Sequence, residues 1–392
     1  MLIINGKILP MTGVTYENGY VRTKGNKIAS VGPMEELKNQ MQDETVIDAA
    51  GAWVMPGLIE AHAHIGIIEE KKGVPGDDCN EATNPVTPEL RAIDAVNPMD
   101  PAFHDAVIAG ITSVMTGPGS ANVVGGQFVF MKTQGRCVDK MIVKAPAAMK
   151  VAFGENPKTT YGDLSQYPST RMGTAALLRK TLFEAKEYLH KRENGELKEA
   201  EFDKEPWIPV LKKQIPVKAH AHRADDILTA IRIAKEFDIE LTLDHCTEGH
   251  LIADEIKASG FPAIIGTSLT ARSKAEVANM SFKTGGVLER AGIMTAITTD
   301  HPVAIIRYLP ICAGLTVKQG MSMEEGLKSL TINAAKICRT DDRVGSLEPG
   351  KDADIAVFTD NPMCTFTRTL YTIIDGKIVY SADDNEKPEN DG

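Results

Sequence analysis

The stretch Val54-Met55-Pro56-Gly57-Leu58-Ile59-Glu60-Ala61-His62-Ala63-His64 ends an apolar run in two histidines one residue apart. Side chains alternate along a strand, so both rings would face the same way and can share a metal ion. Taken alone, a His-x-His pair reads more readily as two ordinary histidines near a strand end. The rest of the chain shifts that balance, because further expected strands end at Lys150, His220, His245 and Asp300. Each of these is a type that binds or bridges a divalent cation.

Lys150 lies in Ala147-Ala148-Met149-Lys150-Val151-Ala152-Phe153, a cation inside an apolar strand. A buried unpaired ammonium is costly, so this lysine must be neutral, paired, drawn out along its stem to a rim, or chemically changed. Carbamylation by carbon dioxide would turn the amine into a carboxylate-like bridge whose charge two metal ions stabilise. His220 and His222, in Pro216-Val217-Lys218-Ala219-His220-Ala221-His222, repeat the same-face spacing. His245 closes Ile239-Glu240-Leu241-Thr242-Leu243-Asp244-His245, and Asp300 closes the run from Ile293. Each alone reads equally as a satisfied structural polar group. Together they supply His62, His64 and Asp300 for one metal and His220 and His245 for a second, with Lys150 between. Two ions about 3.5–4 Å apart can hold a bridging hydroxide. Asp300 can take its proton during attack and pass it to a leaving nitrogen. His222, one pleat beyond His220, is assigned to substrate contact or support of the ligands ahead of ligation. His301 would point away from Asp300 in a strand, and Cys246 would face packing beside His245.

These strand ends need a frame. From about Pro56 to Arg343, short apolar runs alternate with amphipathic helical stretches, the pattern of repeated βα units and a parallel sheet. Eight strands are expected, ending near His64, Gly117, Lys132, Phe153, His222, His245, Ser268 and Asp300. Between them lie helices such as Asp225 to Phe237, with apolar residues at three- and four-residue spacing. The pattern predicts an α/β fold, a (β/α)8 TIM-like barrel whose site gathers at the C-terminal strand ends. An open doubly wound sheet would want a glycine-rich fingerprint after its first strand, and none stands there.

The first fifty residues read as short strands: Leu2 to Ile4, a turn at Asn5-Gly6, Lys7 to Leu9, and a pair flanking Lys24-Gly25-Asn26. The far end repeats the texture, with Ala353 to Phe358 and a hairpin turning at Asp375-Gly376. Isolated hairpins are marginal in water. Both ends are therefore expected to form one small discontinuous β domain, residues 1–55 with 344–392, mounted on a barrel of residues 56–343. Two long loops, Gly66 to Asn97 and Gly154 to Gly173, are expected to cover or recognise substrate. Tyr188 to Pro206 reads as a solvated helix end, and the tail Asp383 to Gly392 as disordered.

The chain has 392 residues, 43 % of them hydrophobic, ample for a large core. Lys and Arg number 43 against 53 Asp and Glu, a net charge of −10 that argues against nucleic acid or anionic lipid as a partner. The cysteines lack any paired spacing, and no apolar run has the length of a signal or membrane segment. The expectation is a cytoplasmic protein with reduced thiols that acts on a small molecule.

With these residues in view, the chain resembles the amidohydrolase superfamily of metal-dependent hydrolases over nearly its whole length. The resemblance is carried by Pro56 to His64, the Lys150 strand, His220 and His245, Thr299-Asp300, and Val344-Gly345-Ser346-Leu347-Glu348-Pro349-Gly350-Lys351-Asp352-Ala353-Asp354. Within that superfamily it is most similar to imidazolonepropionase-like and prolidase-like members, which join a barrel to a sandwich built from both termini. The resemblance implies metal ligation by His62, His64, Lys150, His220 and His245, and catalysis by Asp300. One departure stands out: deaminases of the superfamily, and imidazolonepropionase itself, resemble one another in an acid about three residues after the fifth-strand histidine, where this chain has Arg223. That favours two-metal amide hydrolysis over single-metal chemistry. Glu155 is the alternative bridging ligand to a carbamylated Lys150.

The reading that results is a hydrolase of a C–N amide bond, in a cyclic amide, a dipeptide or an N-acyl amino acid, using two zinc ions. His222, Arg223, Tyr161 and Arg171 are the candidates for holding a substrate carboxylate, and a homo-oligomer is expected from the barrel's size. The alternatives are a mononuclear deaminase or imidazolonepropionase-type enzyme and a non-catalytic scaffold of the same fold.

Overall fold

The computed structural model describes residues 1–37, 44–70 and 72–385. Strands β1 (Leu2–Ile8), β2 (Tyr16–Lys24), β3 (Lys27–Pro33), β4 (Val46–Asp48) and β5 (Trp53–Pro56) open the chain. The barrel strands follow: β6 (Leu58–Ala63), β7 (Ile111–Thr116), β8 (Val124–Lys132), β9 (Ile142–Ala152), β10 (Val217–Ala221), β11 (Leu241–His245), β12 (Ala263–Ile265) and β13 (Thr295–Ile297). The chain then returns through β14 (Ile355–Phe358), β15 (Thr369–Ile374) and β16 (Lys377–Ser381). The part of the tail at 386–392, expected to be disordered, lies outside the described residues.

The two ends of the chain share one hydrogen-bonded sheet in the order β16-β15-β14-β5-β1-β2-β3, with β4 also on β1. Its apolar face buries Ile3, Ile8, Val21, Ile28, Val54, Ile355, Val357 and Ile373. Gly25-Asn26 and Asp375-Gly376 turn hairpins where expected. Asn5-Gly6 does not: β1 runs straight through it, and Asn5 takes φ 55 in a bulge between Ile3 and Gly6. The dipeptide permits a tight turn, but the pairing of β1 with β4 and β5 on its other edge holds the strand extended.

The second sheet runs β13-β12-β11-β10-β9-β8-β7-β6 and curls until its ends nearly meet. Thr298 Oγ1 donates to His62 O (2.6 Å) and His64 N donates to His301 O (2.9 Å) across the seam. Every residue of β6, β7, β10 and β11 is buried, as a barrel wall covered outside by helices requires. The helix Ala224–Phe237 is one such cover: Ile227, Ala230, Ile231 and Ala234 bury its inner stripe, and Asp238 ends it in the left-handed region.

The expected strict βα repetition fails at one place. β8 is antiparallel to both β7 and β9. The link from β7 to β8 spans only residues 117–123, shorter than the dozen or so residues a parallel crossover needs. Lys132 therefore lies at the mouth opposite the histidines, ion-paired with Asp352 (2.9 Å) and Asp354 (2.6 Å) just ahead of β14. The Gly154 to Gly173 segment also differs from an open loop, since a helix occupies Glu155–Asp163 and another begins at Arg171. Among the described residues no helix is long and apolar enough to cross a membrane.

Candidate functional site

Alternation along β6 points Glu60, His62 and His64 into the barrel, all of them buried. Asp300 meets them from beyond β13, with Oδ1 3.5 Å from His62 Nε2 and 3.3 Å from His64 Nε2. A tetrahedral ion with bonds near 2.1 Å sets its ligand atoms about 3.4 Å apart. Asp300 Oδ1 is also a buried oxygen without a hydrogen bond. The spacing and the orphaned oxygen fit a shared cation.

A second group comes from β10 and β11. His220, His222 and His245 present one nitrogen each within 4.8 Å of one another, as do the ligand atoms of His62, His64 and Asp300. His222, assigned from sequence to substrate contact or support, thus stands in the cluster itself. Lys150, fully buried on β9, places Nζ 3.3 Å from His62 Nε2. Burial lowers its ammonium to about 8 despite Asp244 and Asp300 nearby. The Phe128 ring lies under both Lys150 and Lys218, at 5.6 and 5.4 Å.

The rings are held by hydrogen bonds on their far nitrogens. His64 Nδ1 meets Gly117 O, His245 Nδ1 meets Gly266 O, and His222 Nδ1 meets Thr247 Oγ1, each at 2.7 Å. A Cβ on Gly117 would stand 2.3 Å from Phe128, and one on Gly266 2.4 Å from Thr298 O, so both carbonyls depend on glycine. His62 Nδ1 faces Asp244 Oδ2 at 2.9 Å. A neutral ring whose Nδ1 meets a carbonyl, as at His64 and His245, keeps its proton there and turns a bare Nε2 inward; the His62 contact with Asp244 is close but not aligned as a hydrogen bond. Burial lowers His62, His220 and His245 well below the usual histidine range, which leaves them neutral and able to bind a cation. His64 goes the other way: burial opposes its charge, but Cys79 and Asp300 raise it to about 10, so a cation there would displace a proton.

Several of these supporting groups escaped the reading of the sequence. Glu60 accepts from Thr299 N (2.9 Å) and Thr299 Oγ1 (2.6 Å), and burial raises its carboxyl to about 7. Asp244 also pairs with Lys218 Nζ at 3.2 Å. The signal was present: a charged residue stands two places before each histidine pair, Glu60 before His62 and Lys218 before His220, and shares its face. Asp244 and His245 are adjacent yet both turn inward, because His245 adopts φ 69. Asp300 has φ 54. Positive φ at non-glycine residues is uncommon and recurs at functional sites.

Other candidates lie apart. Arg223 is paired with Asp225 (2.9 Å) and Arg171 with Asp226 (3.1 Å). Tyr161 is buried, its hydroxyl donating to Glu81 O at 3.4 Å. Glu155 Oε2 accepts from the Glu276 backbone at 3.2 Å, outside both ligand groups. Beside the site, the segment following β6 walls a cleft of about 790 Å³ lined by Cys79, Glu81, Glu89, Pro118, Gly125 and others.

Known proteins resemble this chain in sequence and fold. The amidohydrolase family model matches residues 210–379. A crystal structure of an amidohydrolase from Thermotoga maritima is 41% identical with a TM-score of 0.93, covering 97% of this chain and 99% of that one. Amidohydrolase tasK of Hapsidospora irregularis is 26% identical over 94% of this chain, which spans 41% of that protein's length. An imidazolonepropionase of Fusobacterium nucleatum is 25% identical over 90% of this chain and 88% of its own length.

Proposed function

The chain belongs to the amidohydrolase family, and on that premise we propose that it hydrolyses the C–N bond of a small cyclic amide, dipeptide or N-acyl amino acid. The observation that carries the reading is the convergence of two ligand groups, His62-His64-Asp300 and His220-His222-His245, at one mouth of the barrel. His62, His64 and Asp300 would hold one zinc ion and His220 and His245 another. Ions so bound polarise a carbonyl and lower the pKa of a water molecule. Lys150 would stand between the two groups as a carbamate, formed when its neutral amine adds one carbon dioxide and releases one proton. Its ammonium, lowered to about 8, supports that chemistry, since a sizeable neutral fraction exists near neutral pH.

Asp300 accepts the proton of the attacking water and returns it to the departing nitrogen. Its backbone N–H donates to Thr298 Oγ1 (2.9 Å), while Glu60 fixes Thr299 beside it, so the carboxylate is aimed by the β13 end. The Asp244 carboxylate, 2.9 Å from His62 Nδ1, would favour the tautomer with its proton on that nitrogen. The Arg223 side chain turns onto Asp225, which favours amide hydrolysis over a deaminase needing an acid at that place.

The test is metal analysis of purified protein, then a panel of dipeptides, N-acyl amino acids, lactams, hydantoins and aminated heterocycles with separate detection of amine and ammonia. About two metals per chain with amine or ring-opened acid as product supports the reading. One metal with ammonia from an aminated ring would replace it with a deaminase, and neither metal nor turnover would leave a scaffold.

A further inference from the structure

One buried carboxylate beside the histidine cluster has no part in that reading. Glu276, in the turn Ala275–Val277 after β12, is fully buried. Its Oε2 accepts from the Glu155 backbone N–H at 2.8 Å. Oε1 faces the site, 3.7 Å from His222 Nε2 and 3.8 Å from His220 Nε2, with Lys274 Nζ at 2.6 Å on its other side. Those separations are too long for an imidazole–carboxylate hydrogen bond, which closes to about 2.7–3.2 Å. To these two nitrogens they lie within about 0.4 Å of the ~3.4 Å edge between ligand atoms of a tetrahedral ion, while Glu276 stands outside the 4.8 Å grouping that includes His245.

The nitrogens nearby are also suited to such an ion. His222 and His245 spend Nδ1 on Thr247 Oγ1 and Gly266 O, which leaves Nε2 free on each. His220 Nε2 has the Asn156 amide at 3.4 Å, a weak contact beside the amide's bond to Ser120 Oγ at 2.7 Å. Lys274 anchors to Asn156 Oδ1 (2.6 Å), so its ammonium is fixed against Glu276 and competes with any cation for Oε1.

We propose that Glu276 is a ligand of a cation held at the His220-His222-His245 cluster, closing that subsite from the loop after β12, with Lys274 lowering its affinity. The proposal rests on the reading that this cluster binds a cation. Neither β10 nor β11 carries an acid aimed at it, whereas the other group has Asp300; Glu276 would give each group one carboxylate.

Cobalt titrations of the full chain, followed by visible absorption and calorimetry, test this without an activity assay. Glu276→Gln should keep one Co²⁺ at wild-type affinity and weaken the other by about 100-fold or more, the upper end of what loss of a mere supporting group costs. Lys274→Met should tighten that same ion several-fold; a purely structural ion pair predicts no gain. It also decides the matter if Glu276→Gln fails to fold. Unchanged binding in Glu276→Gln, or unchanged or weaker binding in Lys274→Met, overturns the proposal. If wild type binds a single Co²⁺ that Glu276→Gln weakens, the ligand stands and the two-metal reading falls. If that single ion is indifferent to Glu276→Gln, or no ion binds, the ligand falls.

Discussion

Asp244 serves stability and the site by different contacts, and the two can be separated. Its carboxylate lies 2.9 Å from His62 Nδ1 and 3.2 Å from Lys218 Nζ, and accepts from Thr242 Oγ1 at 2.9 Å, all in the barrel interior. Asp244→Asn leaves the Lys218 ammonium without a countercharge, facing only neutral acceptors, the amide oxygen and the Ala61 carbonyl (3.2 Å). Breaking a buried ion pair on one side costs about 3–5 kcal/mol. With an unfolding entropy of roughly 2.1 cal/mol/K per residue, 392 residues give about 0.8 kcal/mol/K, so Tm should fall by about 4–6 °C. Adding Lys218→Met removes the stranded charge, and the double variant should recover most of that loss. It should not recover metal binding: both Asp244 variants leave His62 without its orienting carboxylate and should bind about 10–100-fold more weakly. Thermal denaturation of the metal-free proteins and competitive zinc titration read the two effects. A double variant as unstable as the single would refute the ion-pair account. Wild-type zinc affinity in Asp244→Asn would refute the orienting role.

Three further outcomes follow from the same geometry. Asp300→Asn, which keeps shape but removes the base, should lower kcat by about 10²-fold or more in metal-replete enzyme; wild-type turnover would exclude the proton-shuttle role. Lys150→Ala should lose most bound metal and activity and keep the fold, while Glu155→Ala, its carboxylate bound to the Glu276 backbone, should keep both metals; the reverse pattern would move the bridge to Glu155. At the opposite mouth, burial opposes the charge of Asp352, but Lys132, with Lys27 and Arg343, holds its carboxyl below the usual value. A depressed folded pKa gives stability that is present above about pH 3.9 and lost as pH falls through the folded value. Lys132 keeps Asp354, so Asp352→Asn should lower Tm by about 2–4 °C at pH 7, and the gap should close in acid; a gap constant down to pH 2.5 would deny the ion pairing.

How much of this was legible in the sequence depends on which rule each element obeys. Strand ends were readable because apolar runs and flanking polar residues carry the signal, and the runs leading to His62, His220 and His245 are strands β6, β10 and β11. The antiparallel β8 was missed because its own residues carry the same apolar pattern in either direction; the information lay in the short link at 117–123, a length and not a composition. Asn5-Gly6 misled for the complementary reason, since a local turn preference yields when both edges of a strand are paired.

The groups that support the ligands divide along the same line. Glu60 and Lys218 follow the two-residue period of their strands, so the alternation that turns His62 and His220 inward turns them inward too. No such period places Asp244, Glu276 or the inward turn of Asp300. Asp244 and His245 would face opposite ways on any regular strand, and only the left-handed backbone at His245 brings both inside. Glu276 reaches the site from a turn whose path no periodicity specifies. A site assembled at strand ends is therefore readable up to the residue where regular backbone stops. Beyond that point, its carboxylates are placed by single positive φ values and by tertiary hydrogen bonds such as Glu155 N to Glu276 Oε2. The histidines set where a cation can sit. The irregular residues set the charge around that position.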